Sequence, residues 1–407
     1  MSRTPTSTLA ARALAALAAL LVTLPAGTHA LHRQTPALEQ VTPTSGAGAV
    51  ASPSWAGFRY VIFDSDADIV GNGNTTRQIF LFDLRSRVRG GGLAIEQLTT
   101  GPGDARRGTA GRLARRVVYD ALDAGVRQIF DVDRKSGAVR QLTAGASDSQ
   151  NARADERGRY LVFESSADFF NTGTGGTQIY LIETRAMLAG CPFPCAASGN
   201  AGLIQITDAA GTSHNAVTAK GGRAIAFESD ADLLNLGQTT NQVYLLENFS
   251  QLSLLSHGPG EARNPSVSRN GRQIAFESDE DLLAAGTTGT QIFMRRRRTS
   301  ALEQITFAPN GTSTDPAVST SGRFMTFVSS DDLLNTGSTG PEAMTYGVRR
   351  GDLSQVTAGP STIAAAPAHS AGVFAVFVAD GDLAGTGATG PALYLVNLFA
   401  LGSQTLP

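Results

Sequence analysis

Residues 271–293 read GRQIAFESDEDLLAAGTTGTQIF, and residues 222–244 read GRAIAFESDADLLNLGQTTNQVY. Agreement at so many positions marks two copies of one structural unit. Working outward, the phrase recurs at 158–180 (GRYLVFESSADFFNTGTGGTQIY), 322–344 (GRFMTFVSSDDLLNTGSTGPEAM) and 372–394 (GVFAVFVADGDLAGTGATGPALY). An earlier copy occupies 58–80 (FRYVIFDSDADIVGNGNTTRQIF), and a shortened one contains RVVYDALDAGVRQIF at 116–130. The anchoring aromatics are Phe63, Tyr119, Phe163, Phe227, Phe276, Phe327 and Phe377, 44 to 64 residues apart and about 52 on average. A period in this range indicates a solenoid or a propeller, because one such unit must stack on its neighbours to bury its apolar faces.

Within one unit the pattern is strand-like throughout. Pro265–Ser268 is a short segment, and Asn270-Gly271 signals a two-residue hairpin turn. Gln273–Ser278 then runs as a buried strand does, a loop leads to Gln291–Met294, and Leu302–Thr306 ends the unit. Four strands without helical periodicity are the composition of a propeller blade. The last strand recurs as Leu98-Thr99, Leu142-Thr143, Ile206-Thr207, Ile305-Thr306 and Val356-Thr357, each preceded by Gln, with a looser Leu252–Ser256 in the fourth unit. A further copy, Leu38-Glu39-Gln40-Val41-Thr42, stands before the first unit, whereas the seventh unit stops soon after its third strand, Ala392–Leu398. The expected fold is therefore all-β: a seven-bladed β-propeller of four-stranded antiparallel blades over residues 38–398. Residues 38–42 are expected to close the ring as the outer strand of the final blade. Closure removes exposed strand edges, and a monomer is expected.

The Ser/Pro-containing strand, the x-Gly-Arg turn, Ile-Ala-Phe-x-Ser, Ile-Tyr/Phe and Gln-Leu-Thr together resemble the TolB-type, WD-repeat-like propeller family. The resemblance covers nearly all of residues 38–398 and implies the propeller fold. That family's type member has an additional α/β domain before its propeller, which is not expected here, so the Tol–Pal role is not implied. Propellers host binding, scaffolding and catalysis alike, so activity has to be argued from a site.

The N-terminus gives an address. Arg3 and Arg12 precede the apolar run Ala13–Leu24, and Thr28-His29-Ala30 places small residues at the −3 and −1 positions of a cleavage site. Residues 1–30 are expected to be a secretory signal and 31–37 a short lead, with 399–407 a C-terminal tail. The apolar run is shorter than the roughly 20 residues that span a bilayer, so no transmembrane anchor is expected. A periplasmic or secreted protein follows. Cys191 and Cys195, in GCPFPC at 190–195, are the only cysteines. An exported chain meets oxidants, so they are expected to form a local disulfide, and without nearby His or acidic residues they make a poor zinc site.

Composition bounds the rest. The 407 residues are 42% hydrophobic and 17% charged with a formal charge of −2, which permits a sizeable core and offers no global basic field for nucleic acid. The 45 glycines suit a chain with many turns.

Two sets of residues are candidates for chemistry. Asp68, Asp168, Asp232, Asp281, Asp332 and Asp382 are each followed five residues later by Gly. These loops suit calcium, or else each Asp caps its own loop with Gly at a positive-φ corner. They lack the ligand alternation of an EF-hand, and self-capping is the expected reading, with no cofactor. The second set lies where the innermost strand begins: Arg107, Asn151, Asn215, Asn264 and Asp315 align, preceded in three units by Gln150, His214 and Arg263. These residues are expected to rim one mouth of the central channel, on the face of the Asp–Gly loops, either as a binding site or as turn caps.

The run Arg295–Arg298 belongs on the opposite face, where it forms a solvated hairpin or meets an acidic partner. No Gly-x-Ser-x-Gly elbow and no His-Glu-x-x-His motif occurs, so no catalytic residue is assigned. His214 and His257 lie in successive connections and would approach the same mouth, where His214 and Asp315 would offer an acid–base pair. The leading expectation is a non-enzymatic module that binds a protein, peptide or envelope component. The competing one is a carbohydrate-active lyase or glycosidase working at the channel mouth.

Overall fold

The computed structural model describes residues 38–42, 48–88, 94–184, 202–308, 311–337, 339–357, 362–370 (backbone), 374–385 and 390–398. The signal, the short lead, the Cys191–Cys195 loop and the tail lie outside these residues. Among the described residues, no helix is long and apolar enough to cross a membrane.

Strand pairing follows the repeat. Seven four-stranded antiparallel sheets form, each built from consecutive strands except the last. In the fifth blade the order is Ala262–Val267, Gln273–Ser278, Gln291–Arg296 and Ala301–Gln304, from the channel outward. The final blade takes its outer strand from the N-terminal segment Leu38–Gln40, which pairs with Pro391–Asn397 in the register Leu38↔Val396, Glu39↔Leu395 and Gln40↔Tyr394. The Val41 N–H continues the ladder by donating to the Leu393 carbonyl at 2.7 Å. The seven-bladed ring and its closure are thus as expected.

Among the described residues the core consists of seven apolar clusters, one at each boundary between blades. Alternation along the second strand explains how one strand serves two boundaries: Phe63 packs against the preceding blade and Ile62 against the following one. Middle strands are therefore buried on both faces and read as continuous apolar runs. Each anchoring aromatic stacks on a third-strand ring in six blades, as in Phe227–Tyr244 with centroids 5.8 Å apart. The sixth blade places Met344 opposite Phe327 instead.

The Gln-x-Thr motif of the outer strand acquires a physical reason. Thr306 Oγ1 accepts the N–H of Ile292 at 2.9 Å and donates to Gln291 Oε1 at 2.9 Å, satisfying the third strand where the ladder ends. Thr99, Thr143 and Thr357 likewise accept the third-strand N–H in their blades, and Thr42 accepts that of Leu393 across the ring closure. In the looser fourth unit Ser256 takes the role, accepting from Val243 N–H and donating to Gln242.

One turn differs from expectation. Asn270-Gly271 does close the first hairpin of blade five, but not as a two-residue loop. The Gly271 N–H bonds to the Ser268 carbonyl and Ser268 N–H to the Gln273 carbonyl, so four residues connect the strands, with only Gly271 left-handed at φ 66°. Asn270 instead accepts the Arg272 N–H through its side chain at 2.9 Å, an Asx turn.

Candidate functional site

The aligned residues at the start of the inner strands share one backbone conformation. Arg107 (φ 53°), Asn151 (54°), Asn215 (52°), Asn264 (50°) and Asp315 (56°) are all left-handed, and so is Ser52 (49°) in the first blade. Each sits at a break in register between the first and second strands, such as that between Arg263 and Ser266. The break is a β-bulge. Asn and Asp tolerate this region best among residues with a Cβ, which accounts for four of the six.

What the bulges touch is a ring of carboxylates that sequence reasoning missed. The residue after the anchoring aromatic is Asp64, Asp120, Glu164, Glu228 or Glu277 in the first five blades, and all five are buried. Alternation turns each toward the following blade, opposite to its aromatic neighbour. In four of the five blades it accepts the backbone N–H of the next bulge: Asp64 from Arg107 at 3.0 Å, Asp120 from Asn151 at 3.2 Å, Glu228 from Asn264 at 3.4 Å and Glu277 from Asp315 at 2.6 Å. The bulge side chains complete the belt, with Asn264 donating to Glu277 at 3.1 Å and to Asp315 at 3.2 Å, and Asn151 donating to Asn215 at 3.0 Å. Val328 and Val378 occupy the position in the sixth and seventh blades. A recurring acid inside an apolar strand was the available signal.

The belt is electrically uneven. Asp120 is held by Arg127 at 2.8 Å, with Arg107 3.6 Å away, yet burial still raises its pKa. His214 lies 3.5 Å from Glu228, and the bond to that carboxylate raises the imidazole pKa. Farther round, burial pushes Glu277 up to about 7, aided by the nearby Asp315 charge, and burial raises Asp315 as well. A cavity of about 190 Å³ opens on the channel here, lined by Asn151, Arg153, Asn215, Asn264 and Asp315 among others. Arg153 is its one cationic lining side chain and Asp315 its one carboxyl, whose proton burial helps to retain. Such an arrangement can bind a small polar group or exchange a proton.

The remaining candidates are placed as follows. Arg263 is exposed and paired with Glu261, on the loop side of the belt. His257 is exposed and bonded to Gln238 at 2.8 Å, so it and His214 lead to different partners. His214 turns to Glu228 and Asp315 to Asn264, so the two are not joined as an acid–base pair. Arg296 and Arg297 pair with Glu303 and Glu247 on the opposite face, where the run was expected.

In the Asp–Gly loops both carboxylate oxygens accept loop N–H groups. Asp281 takes those of Ala285 at 2.7 Å and Gly286 at 2.8 Å, and the same pair recurs for Asp68, Asp168, Asp232 and Asp332. These bonds, led by those from Gly73, Gly173 and Leu236, hold Asp68, Asp168 and Asp232 below the usual carboxylate range. Among the described residues, no cluster of three His, Cys or acidic side chains is arranged to hold a metal.

No family model matches the chain, and no curated protein matches its sequence. Solved structures do resemble it. The oligogalacturonate lyase of Vibrio parahaemolyticus superposes with a TM-score of 0.60 at 13% identity, over 88% of this chain and 93% of that one. The β-propeller domain of the trilobed protease from Pyrococcus furiosus, which has an open velcro topology, gives 0.57 at 10% identity over 86% and 93%. A protein assigned as TolB from Agrobacterium tumefaciens gives 0.45 at 15% identity over 83% and 98%. At these identities the likeness to the first two establishes a β-propeller and leaves the activity to be argued from the surface and the channel.

Proposed function

We propose that the protein is an exported, TolB-like propeller acting as a non-enzymatic binding or scaffold module for a protein, peptide or envelope component, in the periplasm or outside the cell. One observation carries this reading. The loops between second and third strands repeat an exposed apolar side chain on one face: Val70, Leu236, Leu283 and Leu334 are 38–52% exposed. Acidic residues flank them in the same loops, among them Asp66, Asp279 and Asp331. Apolar groups set among acids on a rigid ring suit a basic, amphipathic segment of a partner. A photo-crosslinking side chain at position 283 should yield one discrete adduct in the native envelope, while the same group at exposed Val139 on the opposite face should not. Equal labelling from both positions would count against the reading.

The second reading, a carbohydrate-active enzyme at the channel mouth, draws on Glu277, a buried carboxyl pushed up to about 7 beside Asp315. Replacing Glu277 with Gln and Asp315 with Ala tests it, since turnover of an oligosaccharide that survives both changes would remove it.

A further inference from the structure

The formal charge of −2 conceals a strong separation of charge. On the face opposite the Asp–Gly loops, a cleft of about 950 Å³ runs across the turns of blades three, four and five. Its walls carry eight cationic side chains and two carboxylates, those of Asp155 and Glu247. Both acids are already engaged. Asp155 accepts the N–H groups of Arg159 at 2.7 Å, Tyr160 at 3.1 Å and Gly221 at 3.0 Å, and Glu247 is paired with Arg297. Glu183 and Glu156 similarly take up Arg159 and Arg269. Five cations then remain without an acidic partner among the described residues: Arg157, Lys220, Arg223, Arg272 and Arg298. All but Lys220 are exposed.

We propose that this cleft binds a soluble oligoanion carrying a row of phosphate groups. Like charges gathered on three adjacent turns repel one another, and an external anion relieves that repulsion. Four of the five free cations are Arg, whose planar fork pairs two N–H donors with two phosphate oxygens. The walls are fixed in advance, because Asp155 ties blade three to blade four, Arg269–Glu156 ties blade five to blade three, and Arg297–Glu247 ties five to four. A fixed site loses little freedom on binding. The lining favours a soluble chain over a bilayer, because Tyr160 is its one side chain with a large apolar surface. This site lies away from the loop face and does not depend on the reading offered for that face.

The test is fluorescence anisotropy of end-labelled linear polyphosphate with the purified protein. Binding at low salt should weaken with a log–log salt slope of about −3.5, taking roughly −0.7 for each of five cations as for flexible polyanions. The double variant Arg157→Gln/Arg298→Gln should bind about tenfold more weakly with a slope shallower by about 1.4. Arg223→Gln/Arg272→Gln should repeat the loss if the first variant fails to melt like the parent. The control Arg349→Gln/Arg350→Gln, on exposed turn residues of blade six, should bind as the parent does. Three results overturn the proposal: no binding of polyphosphate at low salt, an equal loss in the control, or tighter binding to phosphatidylglycerol vesicles or to a single-stranded oligonucleotide of equal charge.

Discussion

The Glu277 carboxylate accepts the backbone N–H of Asp315 at 2.6 Å, bridging the fifth and sixth blades from a position only 5% exposed. Burial, aided by the Asp315 charge, pushes this carboxyl up to about 7, so the folded state keeps a proton that the unfolded chain releases near 4.5. Stability from this group therefore falls as pH rises from about 4.5 to 7, by at most about 1.4 kcal/mol per pH unit. His214 acts in the same direction. Its pKa is raised by Glu228, so its contribution is complete below the ordinary value near 6.5 and is lost as pH rises through the raised one. Urea denaturation should show a higher midpoint at about pH 5.5 than at about pH 8, and Glu277→Gln should flatten the difference. A profile that rises over that window would contradict the assignment.

Asp120 is fully buried, and Arg127 beside it has a side chain only 10% exposed. Asp120→Ala removes that partner and the acceptor for the Asn151 N–H, leaving Arg127 with Asp104 at 2.9 Å. A loss of about 3 kcal/mol is expected, the low end of what breaking a buried pair costs. Asp120→Asn, which keeps an acceptor, should lose less. Denaturant titration of both variants checks the order.

At Asn264 two effects can be separated. Asn264→Ala loses the bonds to Glu277 and Asp315 and holds a Cβ in the left-handed region, at about 1–2 kcal/mol for the backbone alone. Asn264→Gly loses the same bonds without the backbone cost. Gly should therefore be the milder substitution despite being the smaller residue, and equal losses would show that the bulge carries no strain.

Ring closure rests on a short segment. Val41 is 1% exposed and belongs to the apolar cluster between the last and first blades. Removing the chain through Thr42 uncovers that cluster together with the edge of Pro391–Asn397. Unpaired edges recruit other strands, so the truncated protein should melt earlier and associate with concentration in light scattering. A truncated chain that stays monomeric and melts like the parent would show closure to be dispensable.

Self-capping of the Asp–Gly loops makes a distinct prediction from calcium binding. Asp281→Ala should lower the melting temperature, because the Ala285 and Gly286 N–H groups lose their acceptors. Added calcium or chelator should leave the parent's melting temperature unchanged. A calcium-dependent rise would assign the loops a cation.

Much of this was legible in the linear chain, and particular residues show where legibility stopped. Phe276 and Phe293 announced a blade because a buried strand advertises itself through apolar run length. Gln304-Ile305-Thr306 and its relatives marked the outer strands, and Leu38–Thr42 betrayed the closure by being a copy out of place. Glu277 was written in the same phrase as Phe276, yet its partner is Asp315, 38 residues later in another blade. The alignment of Asn264 with Asp315 was visible, whereas their left-handed backbone was not, since a bulge arises from pairing with a second strand.

The sequence by itself determined the repeat, and through it the number of blades, the strand order and the segment that closes the ring. These are properties of local patterning, which the periods of strand and turn carry along the chain. Only the tertiary structure decided which charges meet. It spends the acids of the channel belt and the Asp–Gly loops on backbone N–H groups, and gathers Arg157, Lys220, Arg223, Arg272 and Arg298 from three blades into one cleft. The physical reason is that electrostatic interaction depends on distance in space. A total of −2 therefore says nothing about how 33 basic and 35 acidic side chains are distributed over two opposite faces.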